Sequence, residues 1–536
     1  MTANHRLEYS PLVLIQKPFI ACLIALLAGL LAPFAFAPYH LWPLSILSMA
    51  GLFFLIQRVR TPFRIGFCYA IGFYGYGLSW IHVSIYQFGG IPLWGSFFLV
   101  GLLVIYLALF PAFSCWLAAK WPSHHSLTFA LLGFPGCWLL GEWLRARLFT
   151  GFPWLMPGYS QIYSPLSGYA SSFGVYGVTL VLLCCAGLLV CWLSRPRHLI
   201  SLIVLALIVS GGTLLKWVTF THAHSPVRIA LVQGNEAIET KWAPENRMPT
   251  LKRYWQLTEQ QNNTDIIVWP ESALPLLESQ ASAYLTALDQ TLTQKQQALV
   301  TGIIHRSATG QYYNALIVLG QKTKPGSHSA PYQFNNQDRY YKRHLLPIGE
   351  FVPFEKWLRP LAKLFNLPMS SFSRGTNQQS DILVNGHHWL SAICYEIAFG
   401  NEIQSLISQQ TDAILTISND TWFGRSIGPA QHLEIAQMRA LEFQRPVVRG
   451  TNTGYTALIN SHGQITKQLP IYKTAVLHGE MTPRTGQTPY QRWGLWPVYL
   501  FEFIAAMLMI QQIRSRIKLN KVQIQSSNKV ESNADN

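Results

Sequence analysis

Charge is what this sequence has least of. Asp, Glu, Lys and Arg make up 12% of its 536 residues, about half the share of an ordinary soluble chain, so a chain soluble throughout is excluded. Cysteine is scarce where it would be informative. Of eight, Cys22, Cys68, Cys115, Cys137, Cys184, Cys185 and Cys191 fall in apolar segments, and only Cys394 lies in polar sequence. The seven read as small buried hydrophobes. Without a second thiol in the polar sequence a disulfide framework is excluded, and Cys394 is either buried filler or a reactive thiol. There is no tight cluster of His, Cys and carboxylates and no phosphate-binding glycine loop, so neither a metal nor a cofactor is expected. Zinc-finger spacing, a basic low-complexity arm and internal repeats are missing too. The formal net charge of +16 therefore suits an anionic phospholipid surface rather than nucleic acid.

What the chain does have is long apolar segments and 18 Trp. A helix needs roughly 20 apolar residues to cross a hydrocarbon core. Seven such spans are expected near 12–32, 38–57, 65–85, 92–118, 127–148, 169–193 and 199–218, and an eighth near 494–513. Pro33 and Pro38 break the first long run into a hairpin. No small-residue cleavage site follows the first span, so it is kept as a span and not as a signal peptide. Arg6 and Lys17, then Arg58, Arg60 and Arg64, then Lys120, then Arg195 and Arg197, and finally Arg514, Arg516, Lys518 and Lys521 all fall on one side of this arrangement. That side is cytoplasmic by the positive-inside rule. Arg145 and Arg147, beside Glu142, run against the rule. The expected order is a seven-span region over 1–221, an extracytoplasmic domain over 222–490, an eighth transmembrane helix over 491–516 and a disordered cytoplasmic tail over 517–536. Both termini are then cytoplasmic, and in a bacterium the domain is periplasmic.

Within 222–490 the pattern changes. Val227–Gly234, Asp265–Pro270, Ala298–Ile304, Asn314–Leu319, Trp389–Cys394 and Ala413–Ser418 read as buried strands, with helices near 279–297, 398–409 and 428–443. Strands alternating with helices specify an α/β domain. Three of its segments carry chemistry. In Trp269-Pro-Glu-Ser a carboxylate follows a buried strand and a proline; Glu271 is either a base with a raised pKa or a helix cap. In Tyr340-Tyr-Lys-Arg-His-Leu-Leu-Pro-Ile-Gly-Glu, Lys342 is either a solvated cation or an oxyanion stabiliser held by Glu350. In Ile393-Cys-Tyr-Glu the thiol ends a strand before a helix, where nearby amides favour thiolate.

Together the three segments resemble the nitrilase superfamily in order, spacing and local sequence, and Asn419-Asp-Thr-Trp-Phe-Gly is similar to a loop of that superfamily. The resemblance implies an αββα sandwich in which Glu271 is the general base, Lys342 the oxyanion stabiliser and Cys394 the nucleophile. Such a domain between seven membrane spans and one resembles, over nearly the whole chain, the apolipoprotein N-acyltransferase family of the bacterial inner membrane. Gly151-Phe-Pro-Trp-Leu, Leu231-Val-Gln-Gly-Asn followed by Trp242, and His344-Leu-Leu-Pro-Ile-Gly-Glu carry this second likeness; Ile348 stands where the family has an aromatic. The resemblance implies that Trp242, Glu350, Tyr395 and Glu396 support the site. It also implies a phospholipid acyl donor, an S-diacylglyceryl apolipoprotein acceptor, a Cys394 thioester between two half-reactions and a monomeric enzyme. The triad by itself equally fits a membrane-tethered amidase that passes the acyl group to water. A transporter or scaffold with a dead domain is disfavoured by the few charges in the spans and by the complete triad.

A thioester awaiting an amine has to be kept from water. Trp357–Phe372 is rich in Trp, Leu, Phe and Pro with Arg359 and Lys363 among them, and reads as a lid that dips into the membrane interface. Deleting or polarising Leu364, Phe365 and Leu367 is expected to cut activity on phospholipid while leaving the thermal melting profile unchanged; unaltered activity contradicts the lid.

Overall fold

The computed structural model describes residues 17–194, 198–351 and 371–534, with side chains as far as 518. Almost all of the expected lid, including Leu364, Phe365 and Leu367, lies outside the described residues, as do Arg6, Arg195 and Arg197.

Apolar helices stand at each of the eight expected positions, but they are not alike. Four are long and apolar enough to cross a membrane by themselves: Pro18–Ala35, Leu93–Ala118, Pro165–Ser194 and Trp496–Lys518. Pro43–Ile56 and Leu199–Leu215 are shorter. The segments expected at 65–85 and 127–148 are broken further. One is a helix over Pro62–Gly77 followed by turns, and the other a π-helical turn, Phe129–Gly133, leading into the helix Phe134–Arg145. Gly77 and the polar Ser79 end the former, and Pro135 opens the latter, so neither runs as one regular rod. The outer faces of the bundle are apolar: Phe19, Trp94, Leu214, Trp217 and Trp496 are each more than two-thirds exposed. A surface of this kind belongs in lipid. The final helix runs on from Trp496 to Ala534 where a disordered tail is expected from 517. That stretch is polar but holds no Gly or Pro to stop a helix.

Arg145, one of the two arginines at odds with the expected orientation, has a partner of its own. It is fully buried, its Nε donating to Glu142 Oε2 at 3.1 Å and its NH1 to the carbonyls of Phe152 and, at 2.8 Å, Trp154. It is a paired charge that holds the Gly151–Trp154 loop. Arg147 lies with its guanidinium 4.4 Å from the Trp143 ring and 3.1 Å from Tyr499 Oη.

The polar region folds as two six-stranded sheets. The first contains β1 (Val227–Gln233), β2 (Ile266–Val268), β3 (Ala298–Arg306), β4 (Tyr312–Gly320) and β5 (Arg339–Tyr341). The second contains β6 (Ile382–Val384), β7 (His387–Ile393), β8 (Ala413–Ser418), β9 (Val447–Thr451), β10 (Ala457–Ile459) and β11 (Ile465–Gln468). Strand β12 (Ala475–Met481) returns to the first sheet beside β1, giving the orders β12-β1-β2-β3-β4-β5 and β11-β10-β9-β8-β7-β6. The central pairs β1-β2-β3 and β7-β8-β9 are parallel and the flanking pairs antiparallel.

Alternation along the strands builds the layers. Ile229, Leu231 and Val268 face Leu415, Ile417 and Val448 between the sheets. Ala230, Val232 and Ile267 point the other way, against helices Pro244–Glu259 and Glu278–Gln294 through Leu251, Tyr254, Leu285 and Leu288. The outer face of the second sheet packs on helix α11 (so numbered in chain order, Gly428–Phe443). This is the expected αββα sandwich.

The α11 helix is buried on nearly every side because the membrane helices cover its outer face. Its polar groups are matched to that cover. Gln431 Oε1 accepts from the indole nitrogens of Trp80 at 3.0 Å and Trp154 at 2.8 Å, while its Nε2 donates to the Gly77 carbonyl at 3.1 Å. Glu442 Oε1 accepts from the Val175 N–H at 2.8 Å. That N–H is free because the helix kinks at Gly174, whose φ of +66° and contact with the Tyr490 ring leave no room for a Cβ. Gln431→Leu is expected to orphan three buried groups, costing roughly 3 kcal/mol at about 1 kcal/mol each. A lowered Tm in detergent is the result that checks it; an unchanged Tm contradicts this account of the seam.

Candidate active site

The three sequence segments meet at strand ends, two of them central (β2 and β7) and one at a sheet edge (β5). Glu271 follows β2 by way of Trp269, which is fully buried and donates to Thr258 Oγ1 at 2.9 Å. The next residue, Ser272, has φ +47°. This turn lies so close to β3 that a Cβ at Gly302 would come within 2.6 Å of Ser272 N and 2.7 Å of Glu271 Cα. Lys342 follows β5, its N–H donating to the Asn314 carbonyl at 2.9 Å. Cys394 follows β7 with φ +55°, a left-handed conformation that a side chain adopts only when its surroundings impose it.

The charges form one chain. Lys342 Nζ lies 2.9 Å from Glu350 and 3.8 Å from Glu271 Oε1. Asn314 Nδ2 donates to both carboxylates, at 2.7 Å to Glu271 and 3.0 Å to Glu350. Glu271 Oε2 accepts from the Asn419 N–H at 2.8 Å, and Glu350 Oε2 from the Leu346 N–H at 2.8 Å. Burial drives the Glu271 pKa above the usual carboxylate range, with Lys342 opposing and Glu350 adding to the rise. Burial alone would lower Lys342, but Glu350 and Glu271 outweigh it and hold the ammonium charged. Burial also pushes the Cys394 thiol well up, Glu271 adds to this, and Lys342 counters it. The amides after the strand, expected to favour thiolate, do not outweigh this burial. Burial favours the protonated thiol beside the Glu271 carboxyl, so a nucleophilic role would require that proton to be taken up during attack.

The supporting residues have distinct places. Glu396 is a structural clamp. Its Oε1 accepts from Tyr340 Oη at 2.9 Å and from the N–H groups of Arg343 at 2.7 Å and His344 at 3.1 Å, and its Oε2 accepts from the Ile393 N–H at 2.7 Å. One carboxylate thus ties the lysine loop to the cysteine turn. Tyr395 Oη donates to the Gly151 carbonyl at 3.1 Å, and its ring stacks 6.5 Å from Trp154, joining the cysteine turn to the membrane half. Trp242 is half-buried at the end of the turn Ile238–Lys241. Its neighbour Lys241 is buried, with its ammonium donating to the Ser272 carbonyl.

Several residues here are not evident from sequence patterns. Asn314 is one, although a polar side chain opening an otherwise apolar strand is a readable signal. Lys241 is another, buried and with its pKa lowered to about 8 by burial; a lone lysine in a polar stretch gives no such signal. Asp420, His432 and Arg449, also buried, lie in three separate segments. Among the described residues no group of three or more His, Cys, Asp or Glu is placed to hold a metal.

Comparison with known proteins covers both halves of the chain. The family model described as the apolipoprotein N-acyltransferase N-terminal domain matches residues 28–188, and that described as carbon-nitrogen hydrolase matches residues 228–490. An apolipoprotein N-acyltransferase of Vibrio parahaemolyticus is 44% identical over 92% of this chain and 97% of its own length. That of Vibrio vulnificus is 43% identical over 92% and 96%. Among solved structures, Saccharomyces cerevisiae Nit3, a member of branch 10 of the nitrilase superfamily, is 17% identical over 49% of this chain and 92% of its own, with a TM-score of 0.35.

The opposing effects of Glu271 and Lys342 on the thiol have a measurable consequence. Removing the negative charge with Glu271→Gln is expected to lower the thiol pKa, so that Cys394 alkylation by iodoacetamide at fixed pH speeds up. Lys342→Met removes the positive charge and is expected to slow alkylation. Acyl transfer should fall by about 100-fold or more in both. Alkylation moving in the same direction in the two variants contradicts this electrostatic reading.

Proposed function

The chain belongs to the apolipoprotein N-acyltransferase family, and on that premise we propose that it moves an acyl chain from a phospholipid to the N-terminal amine of the diacylglyceryl-cysteine of bacterial apolipoproteins, through a thioester on Cys394, as the last step of lipoprotein maturation. The observation that carries the mechanism is the buried Glu271–Lys342 pair beside a strained cysteine, in a sandwich docked on apolar helices.

The chemistry follows from those groups. Glu271 takes the proton from Cys394 Sγ as the sulfur attacks the carbonyl carbon of the phospholipid ester. Lys342, with a backbone amide, stabilises the oxyanion of the tetrahedral intermediate. The C–O bond then breaks, Glu271 returns the proton to the departing glycerol oxygen, and lysophospholipid leaves. The acceptor amine attacks the thioester carbon and gives a proton to Glu271. The C–S bond breaks and the thiol is restored. The two half-reactions share one site, so the kinetics are ping-pong. Glu350 keeps Lys342 in place, Glu396 and Tyr395 hold the cysteine turn, and Trp242 flanks the site.

In this reading the shorter apolar helices also cross the bilayer, making eight spans: seven within 1–221 and one within 491–516, with 222–490 between them as the catalytic domain and 517–536 as a cytoplasmic tail. The domain faces the periplasm from the inner membrane, both termini are cytoplasmic, and one copy of the chain suffices for catalysis. The lipid-facing surface of the bundle and the docking of α11 on it support a donor drawn from the bilayer rather than an amidase working in water.

Intact mass after incubation with phospholipid tests the proposal. The wild type is expected to gain one acyl chain that hydroxylamine removes, and Cys394→Ala to gain none. An adduct that survives in Cys394→Ala overturns the assignment.

A further inference from the structure

Behind the nucleophile lies a buried cluster that the acyl-transfer scheme does not use. Asp420 comes from the loop after β8, His432 from α11 and Arg449 from β9, and the side chains of all three are wholly buried. Arg449 NH2 donates to Asp420 Oδ2 at 2.7 Å and lies 3.1 Å from His432 Nδ1. Asp420 Oδ1 accepts from Ser418 Oγ at 2.7 Å and lies 3.1 Å from His432 Nδ1. On the far side of the ring, His432 Nε2 is 3.1 Å from the carbonyl oxygen of Cys394. A carbonyl oxygen only accepts, so Nε2 carries the hydrogen. On its other edge Nδ1 lies between Asp420 Oδ1 and the Arg449 guanidinium, each at 3.1 Å, and the two together seat the ring.

Peptide planarity turns this contact into a constraint on a different atom. In a trans peptide the Cys394 carbonyl and the Tyr395 N–H lie in one plane and point in opposite directions. Holding the carbonyl on His432 therefore fixes where the Tyr395 N–H points. Tyr395 is the second residue of the turn Cys394–Ala398, so its N–H has no acceptor within the turn. The left-handed φ of Cys394 does not maintain itself and needs such an anchor. The imidazole is seated in turn, its centroid 5.5 Å from that of Trp154 in the membrane half and 5.7 Å from that of Phe423.

We propose that His432, seated by Asp420 and Arg449, is a positioning residue: by holding the Cys394 carbonyl it fixes the direction of the Tyr395 backbone amide, the amide that joins Lys342 at the oxyanion in the proposed mechanism. This rests on the reading of Cys394 as the nucleophile. His432 does not touch substrate; it acts through the peptide it holds.

Two substitutions of similar size separate donor from bulk. His432→Gln keeps an N–H at the end of the side chain, and His432→Met does not. Two rates are read for each: single-turnover acylation of Cys394 by phospholipid, which passes through an oxyanion, and alkylation by iodoacetamide, which does not. The Met variant is expected to acylate about 10- to 100-fold more slowly than wild type. The Gln variant should recover about tenfold of that loss, with alkylation in all three proteins within about twofold. Equal acylation by the Gln and Met variants overturns the proposal, as does alkylation that falls in step with acylation. If thermal melting shows the Met variant unfolded, Asp420→Asn, which keeps His432 but loosens its clamp, is expected to show the same selective loss, and its absence there overturns the proposal. Failure of the nucleophile reading looks different, because wild type then forms no acyl adduct at all.

Discussion

A single ammonium shared between two carboxylates organises this site. Lys342 is almost wholly buried, with Glu350 at 2.9 Å and Glu271 at 3.8 Å. Taking such charges out of water costs several kcal/mol per ion unless each is paired and hydrogen-bonded. The surrounding structure supplies those partners: Asn314 bridges the two carboxylates, and the backbone of Asn419 and Leu346 fills their remaining acceptor sites. The same arrangement gives the chemistry its direction. Two carboxylates keep Lys342 cationic and burial raises the Glu271 pKa, and in the proposed mechanism the first group faces the oxyanion and the second takes the thiol proton.

Membrane and catalytic halves are one packed object at the site. A single apolar cluster runs from the membrane helices through α11 to the outer face of the second sheet. Its polar members cross the seam: Gln431 to two tryptophans, Glu442 to the amide freed at the Gly174 kink, and Tyr395 to Gly151. The cysteine turn is consequently held from both sides, by Glu396 within the sandwich and by Trp154 and Tyr395 against the membrane bundle. In the proposed mechanism a nucleophile so placed would meet its substrate where the sandwich joins the apolar helices, which suits a donor drawn from the bilayer.

Much of this is legible in the sequence because it depends on local pattern. Apolar runs locate the helices, alternating strands and helices locate the sandwich, and Glu271 and Cys394 each follow a strand whose apolar run makes it recognisable, whereas the three-residue, half-buried strand Arg339–Tyr341 before Lys342 carries no such signal. Length is read less well. Helix Pro62–Gly77 stops where Gly and Ser interrupt it, and the last helix continues through Ala534 because polarity alone does not end a helix. Contacts between distant segments are not legible at all. Asn314, Lys241 and the Asp420–His432–Arg449 cluster owe their importance to neighbours up to hundreds of residues away. The high thiol pKa likewise follows from burial that a strand-to-turn motif does not reveal.

The central claim is that one partly buried thiol carries the acyl chain between two substrates. The most direct measurement isolates enzyme acylated with a radiolabelled chain, free of phospholipid, and adds a diacylglyceryl-cysteine peptide. The account predicts that label leaves the protein and appears as amide on the peptide, one for one, in a single turnover. Label that stays on the protein, with the peptide acylated only after phospholipid is restored, would contradict it.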